Sequence, residues 1–173
     1  ALEVSETFFW SFCDDYLELV KDRAYGTRGQ TGADSAKATL ALALSIQLRL
    51  FAPFLPFVTE EVWSWWQPGS VHRANWPTVD QIELGSPADD SVLVATAASL
   101  GLIRKAKSEN RLSMRTELPS ATISASPEAL AAIEAGADDL AAAGRILELN
   151  LVAAAGELAA DVVLPPAEPA EIE

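Results

Sequence analysis

Residues 35–51 are the stretch that most limits what this chain can fold into. Their leucine and isoleucine residues alternate with alanine, serine, glutamine and arginine, which is a strand pattern by its period of two. The same stretch also fits a helical stripe, and it is too long and too rich in alanine for a typical strand. The helical stripe consists of Leu40, Leu44, Leu48 and Phe51. We therefore predict a helix that is apolar on most sides and central in a helical bundle.

Other helices are predicted on both sides of this one. Apolar residues recur every four positions near the N-terminus while acidic residues face elsewhere, which indicates a long amphipathic helix. A loop with three glycines follows over 26–34. Pro53 ends the central helix, and Pro56 suits the first turn of the next. The predicted helices cover residues 2–25, 35–51, 55–66 and 89–108.

The pattern changes after Leu118. Short alternating stretches at 121–125 and 146–152 and an apolar run at 162–164 predict strands. An alanine-rich helix is predicted over 127–143, because Ser126 is a good N-cap and Pro127 suits the first helical position. The fold class is therefore mainly α. We predict a helix bundle over 1–118, a small α+β subdomain (strand–helix–strand–strand) over 119–164, and a disordered acidic tail over 165–173.

The net charge of −13 argues against nucleic-acid binding when the chain is taken whole. The charge is uneven, however. Residues 116–173 hold one basic and eleven acidic residues, whereas residues 1–115 hold 11 basic and 14 acidic ones. A basic patch on an acidic protein can still bind a polyanion, because salt screens charges beyond about 10 Å.

Two basic clusters are candidates for phosphate contacts. One brackets the end of the first predicted helix, and the other ends the 89–108 helix. Their members are Lys21, Arg23 and Arg28 in the first cluster and Arg104, Lys105, Lys107, Arg111 and Arg115 in the second. Solvated helix ends and a polar loop remain an alternative interpretation of both clusters.

No residue pattern indicates catalysis, a metal site or a membrane span. Cys13 is the single cysteine and lies on an apolar helix face, where a thiol usually fills space. His72 is the single histidine and has no evident partner. The glycines of the 26–34 loop lack the Lys-Ser/Thr pair of a phosphate-binding loop. The apolar stretch 38–58 contains glutamine, arginine and two prolines, which favours buried helices over a membrane helix.

Several motifs nevertheless resemble a known family. Residues 8–21 (FFWSFCDDYLELVK) resemble a bundle helix of valyl-tRNA synthetases. Residues 50–63 (LFAPFLPFVTEEVW) are similar to a signature of the class I synthetases for valine, isoleucine and leucine. Residues 70–72 and 76–77 fit the same group, and residues 104–118 resemble the stretch before its small β-containing subdomain.

The resemblance implies the anticodon-binding domain of such a synthetase, with the first helix of the family bundle missing. Its implied partners are the anticodon stem-loop of valine tRNA and the remainder of the synthetase chain, in the cytoplasm. It implies no active site and no cofactor in this chain, since ATP and magnesium serve a catalytic domain elsewhere in the parent enzyme. Reading unpaired bases requires stacking and edge hydrogen bonds, for which Trp76, Asn75 and Asn110 are candidates.

Two other interpretations stay open. The same domain of an isoleucyl- or leucyl-tRNA synthetase shares the second motif, although the Cys-Asp-x-Tyr-Leu-Glu-Leu run argues against it. A helical protein-interaction module without an RNA role would use the exposed apolar seam and the acidic tail instead.

Overall fold

Residues 2–82 and 89–166 are described by the computed structural model, and they are mainly helical with one small sheet. The predicted fold class is confirmed. The chain divides into two compact units, Ala1–Ala88 and Asp89–Glu173. No helix in the two described ranges is long and apolar enough to cross a membrane.

The first unit begins with a nearly continuous helix, as predicted over 2–25. It consists of α1 (Leu2–Ser11), a π-helical turn (Phe12–Tyr16) and α2 (Leu17–Ala24). The two junctions keep right-handed helical backbone angles, so the π turn is an insertion within the helix and does not end it.

The predicted apolar stripe of this helix is buried only at its C-terminal end. Val20 of the stripe is buried, as is its neighbour Leu19, whereas Val4 is 74% exposed and Phe8 is 51% exposed. The rings of Phe8 and Phe12 contact each other with centroids 5.9 Å apart. The four-residue spacing therefore brings these two aromatic rings together, although neither is fully buried.

The helical interpretation of residues 35–51 is confirmed, because they lie within α3 (Gln30–Phe51). This helix starts earlier than predicted, so residues 30–34 are helical and do not belong to the preceding loop. Gly29 precedes the first turn with φ +83°, a conformation that glycine adopts at little cost. The small side chains of Ala33 and Ala36 are buried and let α2 approach closely.

The next helix, α4 (Pro56–Ser64), has its proline in the first turn, as predicted. It packs on α3 and on a short 3-10 helix, Val71–Arg73. A small core joins these three elements through Leu48, Ala52, Trp63 and Val71.

A buried arginine fixes the irregular segment that follows α4. The side chain of Arg49 is buried in α3, and its guanidinium donates to the carbonyl oxygen of Asn75 at 3.2 Å and to Oε1 of Gln81 at 2.9 Å. It also donates to the hydroxyl and the carbonyl oxygen of Ser45. These bonds hold residues 75–81, where a second 3-10 helix (Val79–Ile82) forms.

The second unit combines three helices with a three-stranded sheet. The elements in chain order are α5 (Ser91–Glu109), β1 (Leu118–Ala125), α6 (Pro127–Ala135), α7 (Ala137–Gly144), β2 (Ile146–Ala153) and β3 (Ala159–Val163). The strand order is β2-β1-β3, with β1 parallel to β2 and antiparallel to β3. This is the predicted strand–helix–strand–strand succession. Residues 167–173 of the predicted tail lie outside the described residues.

The predicted 127–143 helix is interrupted at Gly136, which separates α6 from α7. The N-cap of α6 is as predicted, since the Ser126 hydroxyl accepts from the amide of Ala129 at 3.3 Å. The interruption coincides with a close approach of α5. A Cβ atom on Gly136 would lie 2.5 Å from Oγ1 of Thr96.

The core of the second unit places α5 with the sheet. Leu100 and Ile103 of α5 are fully buried, as are Ile123 of β1, Ile133 of α6 and Leu140 of α7. Because α5 contacts α6, α7 and β3, it belongs to the second unit, which begins before it at Asp89. The predicted boundary after residue 118 instead coincides with the start of the sheet.

Two glycine-to-alanine changes should have opposite effects on stability. Gly101→Ala lies in α5 with nothing within 4 Å of the new Cβ, so we expect stabilisation by up to about 1 kcal/mol. Gly136→Ala meets the Thr96 hydroxyl, so we expect destabilisation by about 1–3 kcal/mol. Urea unfolding of both variants measures the difference. Adding Thr96→Ala to Gly136→Ala should restore part of the loss, and a lack of any recovery would contradict the steric explanation.

Candidate nucleic-acid interface

The first basic cluster surrounds the C-terminal end of α2, and its charges are largely shared with acidic neighbours. Lys21 Nζ lies 3.1 Å from Oε1 of Glu18. Arg28 Nε lies 3.8 Å from Oδ2 of Asp22. The aliphatic stem of Arg23 covers Gly32, where a Cβ atom would lie 3.3 Å from its Cγ. With two carboxylates among three cations, this cluster offers a polyanion only a small net charge.

Trp76 lies in the segment that Arg49 holds in place. Its side chain is 59% exposed, and the carbonyl of its neighbour Asn75 accepts from Arg49. The exposed ring therefore extends from a backbone segment that the buried Arg49 holds in place. Such an aromatic face suits stacking on an unpaired base.

The second basic cluster lies at the C-terminal end of α5 and on the turn that follows it. Lys105 is exposed and lies 3.9 Å from Glu109, a distance at which a solvated pair contributes little. Arg104 is half-buried. Arg111 and Arg115 are exposed, and no ion pair is found for either within the described ranges. Within the second cluster, these two guanidinium groups are therefore the cations most available to an external phosphate.

Lys107 is not placed with the other members of its cluster. It is 1% exposed, and its ammonium donates to three backbone carbonyl oxygens. The acceptors are Thr116 at 2.7 Å, Gly144 at 2.8 Å and Met114 at 3.2 Å. An ammonium has three N–H donors, so its hydrogen-bonding capacity is used within the protein. Its predicted role as a phosphate contact does not fit this arrangement.

The burial of Lys107 could have been predicted from its spacing in the sequence, although its charge suggests exposure. Leu100, Ile103 and Lys107 are spaced by three and four residues, so they share one face of α5. The first two are fully buried. Burial lowers the pKa of Lys107 below its ordinary value of 10.5, and the positive charge of Arg145 acts in the same direction.

Arg111 adopts a backbone conformation that usually belongs to glycine. Its φ is +56°, and it follows the end of α5 as the left-handed residue of a Schellman turn. The amide of Leu112 donates to the carbonyl of Lys107 at 2.9 Å, and the amide of Arg111 donates to that of Ser108 at 3.0 Å. A side chain here costs about 1–2 kcal/mol relative to glycine. Asn110 is partly used as well, since its Nδ2 donates to the carbonyl of Ala106 at 2.8 Å.

The thiol, imidazole and carboxylate groups that catalysis would require are partly buried or hydrogen-bonded within the protein. Burial raises the pKa of the Cys13 thiol, and the charge of Asp14 raises it further, which disfavours a reactive thiolate. A ring nitrogen of His72 lies 3.1 Å from the carbonyl oxygen of Pro56. Glu60 Oε2 accepts from the Ser70 hydroxyl and the Val71 amide, both at 2.9 Å. Within the described residues, no group of three or more potential metal ligands is found.

A groove of about 420 Å³ lies within the first unit, between α1, α3 and α4. It is lined mainly by apolar side chains, among them Phe9, Trp10, Phe51 and Val58. It has no basic residue in its lining, so it offers no counter-charge to a phosphate. The basic turn after α5 and the Trp76 segment therefore remain the features suited to a nucleic acid.

Comparison with known proteins gives consistent matches. The family described as the anticodon-binding domain of tRNA ligase matches residues 1–122. The valine–tRNA ligase of Thermobifida fusca is 54% identical over 170 residues, which are 97% of this chain and 19% of that protein. The valine–tRNA ligase of Leifsonia xyli subsp. xyli is 51% identical over 164 residues, or 95% of this chain and 19% of that protein. The chain thus spans about a fifth of the length of these relatives.

Replacing either left-handed arginine by glycine should stabilise the chain. Arg111→Gly relieves the backbone strain, and we expect a gain of up to about 1 kcal/mol. Arg145 has φ +52° after α7, so Arg145→Gly should gain as well. Its gain should be smaller, because it loses the 3.3 Å contact with Glu117. Urea unfolding tests both variants, and a loss of stability in Arg111→Gly would show that the side chain contributes more than the strain costs.

The lowered pKa of Lys107 predicts how stability depends on pH. The folded chain gives up this proton at a lower pH than the unfolded chain, so the unfolded state binds more protons between the two pKa values. The free energy of unfolding should therefore rise as the pH increases through that window towards 10.5. We expect the wild type to gain stability relative to Lys107→Met over this range in urea titrations. A difference that stays constant or falls would contradict the lowered pKa.

Proposed function

Because the chain belongs to the anticodon-binding domain family of tRNA ligases, we propose that it binds the anticodon stem-loop of valine tRNA. It then positions that tRNA for ATP-dependent aminoacylation by a catalytic domain outside these residues. The cofactors of the reaction, ATP and magnesium, belong to that domain. We expect this binding to take place in the cytoplasm.

The observation that carries the proposal is the extent of the family match. Residues 1–122 include both basic clusters and Trp76, and they exclude most of the acidic second half of the chain. Valine is favoured over isoleucine and leucine because the relatives described above are valine–tRNA ligases.

The residue roles follow from exposure and pairing. Arg111 and Arg115 meet phosphates, because their guanidinium groups are exposed and no ion pair occupies them within the described ranges. Trp76 supplies an exposed ring on which an unpaired base stacks. Lys21 and Arg28 contribute less, since each shares its charge with a carboxylate.

The acidic remainder of the chain limits binding to other polyanions. Residues 116–173 carry a net charge of −10, which repels nucleic acid wherever local cations do not compensate. Affinity then depends on a few phosphate contacts, and its logarithm falls with the logarithm of salt by about 0.7–0.9 for each.

Fluorescence anisotropy with a labelled valine tRNA stem-loop tests the proposal. We expect the chain to bind at about 50 mM salt, to bind more weakly at about 200 mM, and to discriminate against a stem-loop with an exchanged anticodon. Arg111→Gly should weaken binding about tenfold, the loss of one charged hydrogen bond.

Arg145→Gly is the matched control, because it makes the same substitution at the other left-handed arginine. Both variants are expected to be at least as stable as the wild type, so a loss of binding in Arg111→Gly alone cannot arise from unfolding. Equal losses in both variants, or no binding by the wild type at low salt, would contradict the proposal.

A further inference from the structure

We propose that Lys107 is a positioning residue, which holds Arg111 and Arg115 in the arrangement that meets the RNA. The inference rests on the proposed function and goes beyond it by naming the residue that builds the interface. It also replaces the predicted phosphate contact of Lys107 by an indirect role.

Lys107 contacts the basic turn through both its backbone carbonyl and its side-chain ammonium. Its backbone carbonyl accepts from the amide of Leu112 at 2.9 Å, which closes the turn that presents Arg111. Its ammonium donates to the carbonyls of Met114 and Thr116, the two residues on either side of Arg115. One residue therefore fixes the chain immediately after Arg111 and on both sides of Arg115.

The third bond of the ammonium ties this turn to the end of α7, next to the start of β2. Lys107 Nζ donates to the carbonyl of Gly144 at 2.8 Å, at the end of α7. Beside it, the amide of Leu118 donates to the carbonyl of Arg145 at 2.8 Å, where β1 begins beside β2. The turn is thus anchored to the place where α7 ends and β1 begins to pair with β2.

An apolar side chain in place of Lys107 would fill the space but leave three carbonyls without their donor. Burying an ammonium is costly, and the described contacts of Lys107 include no carboxylate that would neutralise it. An apolar side chain would avoid that desolvation cost, but it could not hold residues 114 and 116 against residue 144. The ammonium is therefore suited to fixing the conformation of the turn.

The first test measures the order of the turn without any RNA. Trypsin cleaves after arginine, so the cleavage rates after Arg111 and Arg115 report local opening of this segment. We expect Lys107→Met to raise both rates by at least about tenfold, because each lost hydrogen bond to a charged group is worth about a factor of ten or more. Arg49→Met is the control, since it removes the buried cation of the other unit and should leave these two rates unchanged.

The second test measures coupling between Lys107 and Arg111 in RNA binding. Arg111→Gln should weaken binding of the valine tRNA stem-loop about tenfold in the wild type. In the Lys107→Met background the arginine is no longer held in place, so the same change should cost about twofold or less. A purely structural role for Lys107 predicts additive losses, and additive losses would overturn the proposal.

The two tests separate failure of this inference from failure of the proposed function. If the wild type does not bind the stem-loop, the proposed function fails, and the trypsin rates alone decide whether Lys107 orders the turn. Unchanged rates in Lys107→Met overturn the inference in every case. If Lys107→Met does not fold by circular dichroism, Lys107→Gln keeps two donors and takes its place in both tests, with smaller expected effects in the same directions.

Discussion

A buried cation held by uncharged oxygen atoms organises each unit of this protein. Arg49 does so in the first unit, where its guanidinium reaches Asn75 and Gln81, and Lys107 does so in the second through three backbone carbonyls. In both cases some of the acceptors, Asn75 in the first unit and Met114 and Thr116 in the second, lie in irregular chain outside the helices and the sheet. A buried charge without its hydrogen bonds is very unfavourable, so each segment is held to the one conformation that supplies them.

The same arrangement separates cations that support the fold from cations that face outward. The net charge of −13 hides this division, because it counts Lys107 and Arg111 alike. Two of the three cations near α2 share carboxylates, while Arg111 and Arg115 project from a turn that Lys107 anchors. Binding of a polyanion to so acidic a chain depends on which few charges are exposed and held in place. The sum of the charges does not decide it.

Much of the fold could be predicted from periodicity and turn residues. The helix over 35–51, the proline at the start of α4 and the succession of strands after residue 118 all follow from local patterns. Local patterns could not predict features that depend on residues distant in the sequence. The break at Gly136 depends on Thr96 of another helix, and the burial of Lys107 depends on carbonyls from two other segments. The charge of Lys107 suggested a phosphate contact, although its spacing from Leu100 and Ile103 puts it on the buried face of α5.

The residues that are unfavourable for their local conformation or burial lie close to Lys107. Within the described ranges, Arg111 and Arg145 are the non-glycine residues with positive φ, and both sit at helix ends where glycine is usual. Lys107 accepts from the residue after Arg111 and donates to the residue before Arg145. Three local costs therefore coincide: a charge on a buried helix face and two strained arginines. Stability alone would favour glycine at positions 111 and 145, whereas an apolar residue at position 107 would leave three carbonyl oxygens without their donor. At Arg111 the proposed role accounts for the strain, because a glycine there would relieve it but would supply no guanidinium for Lys107 to hold in place.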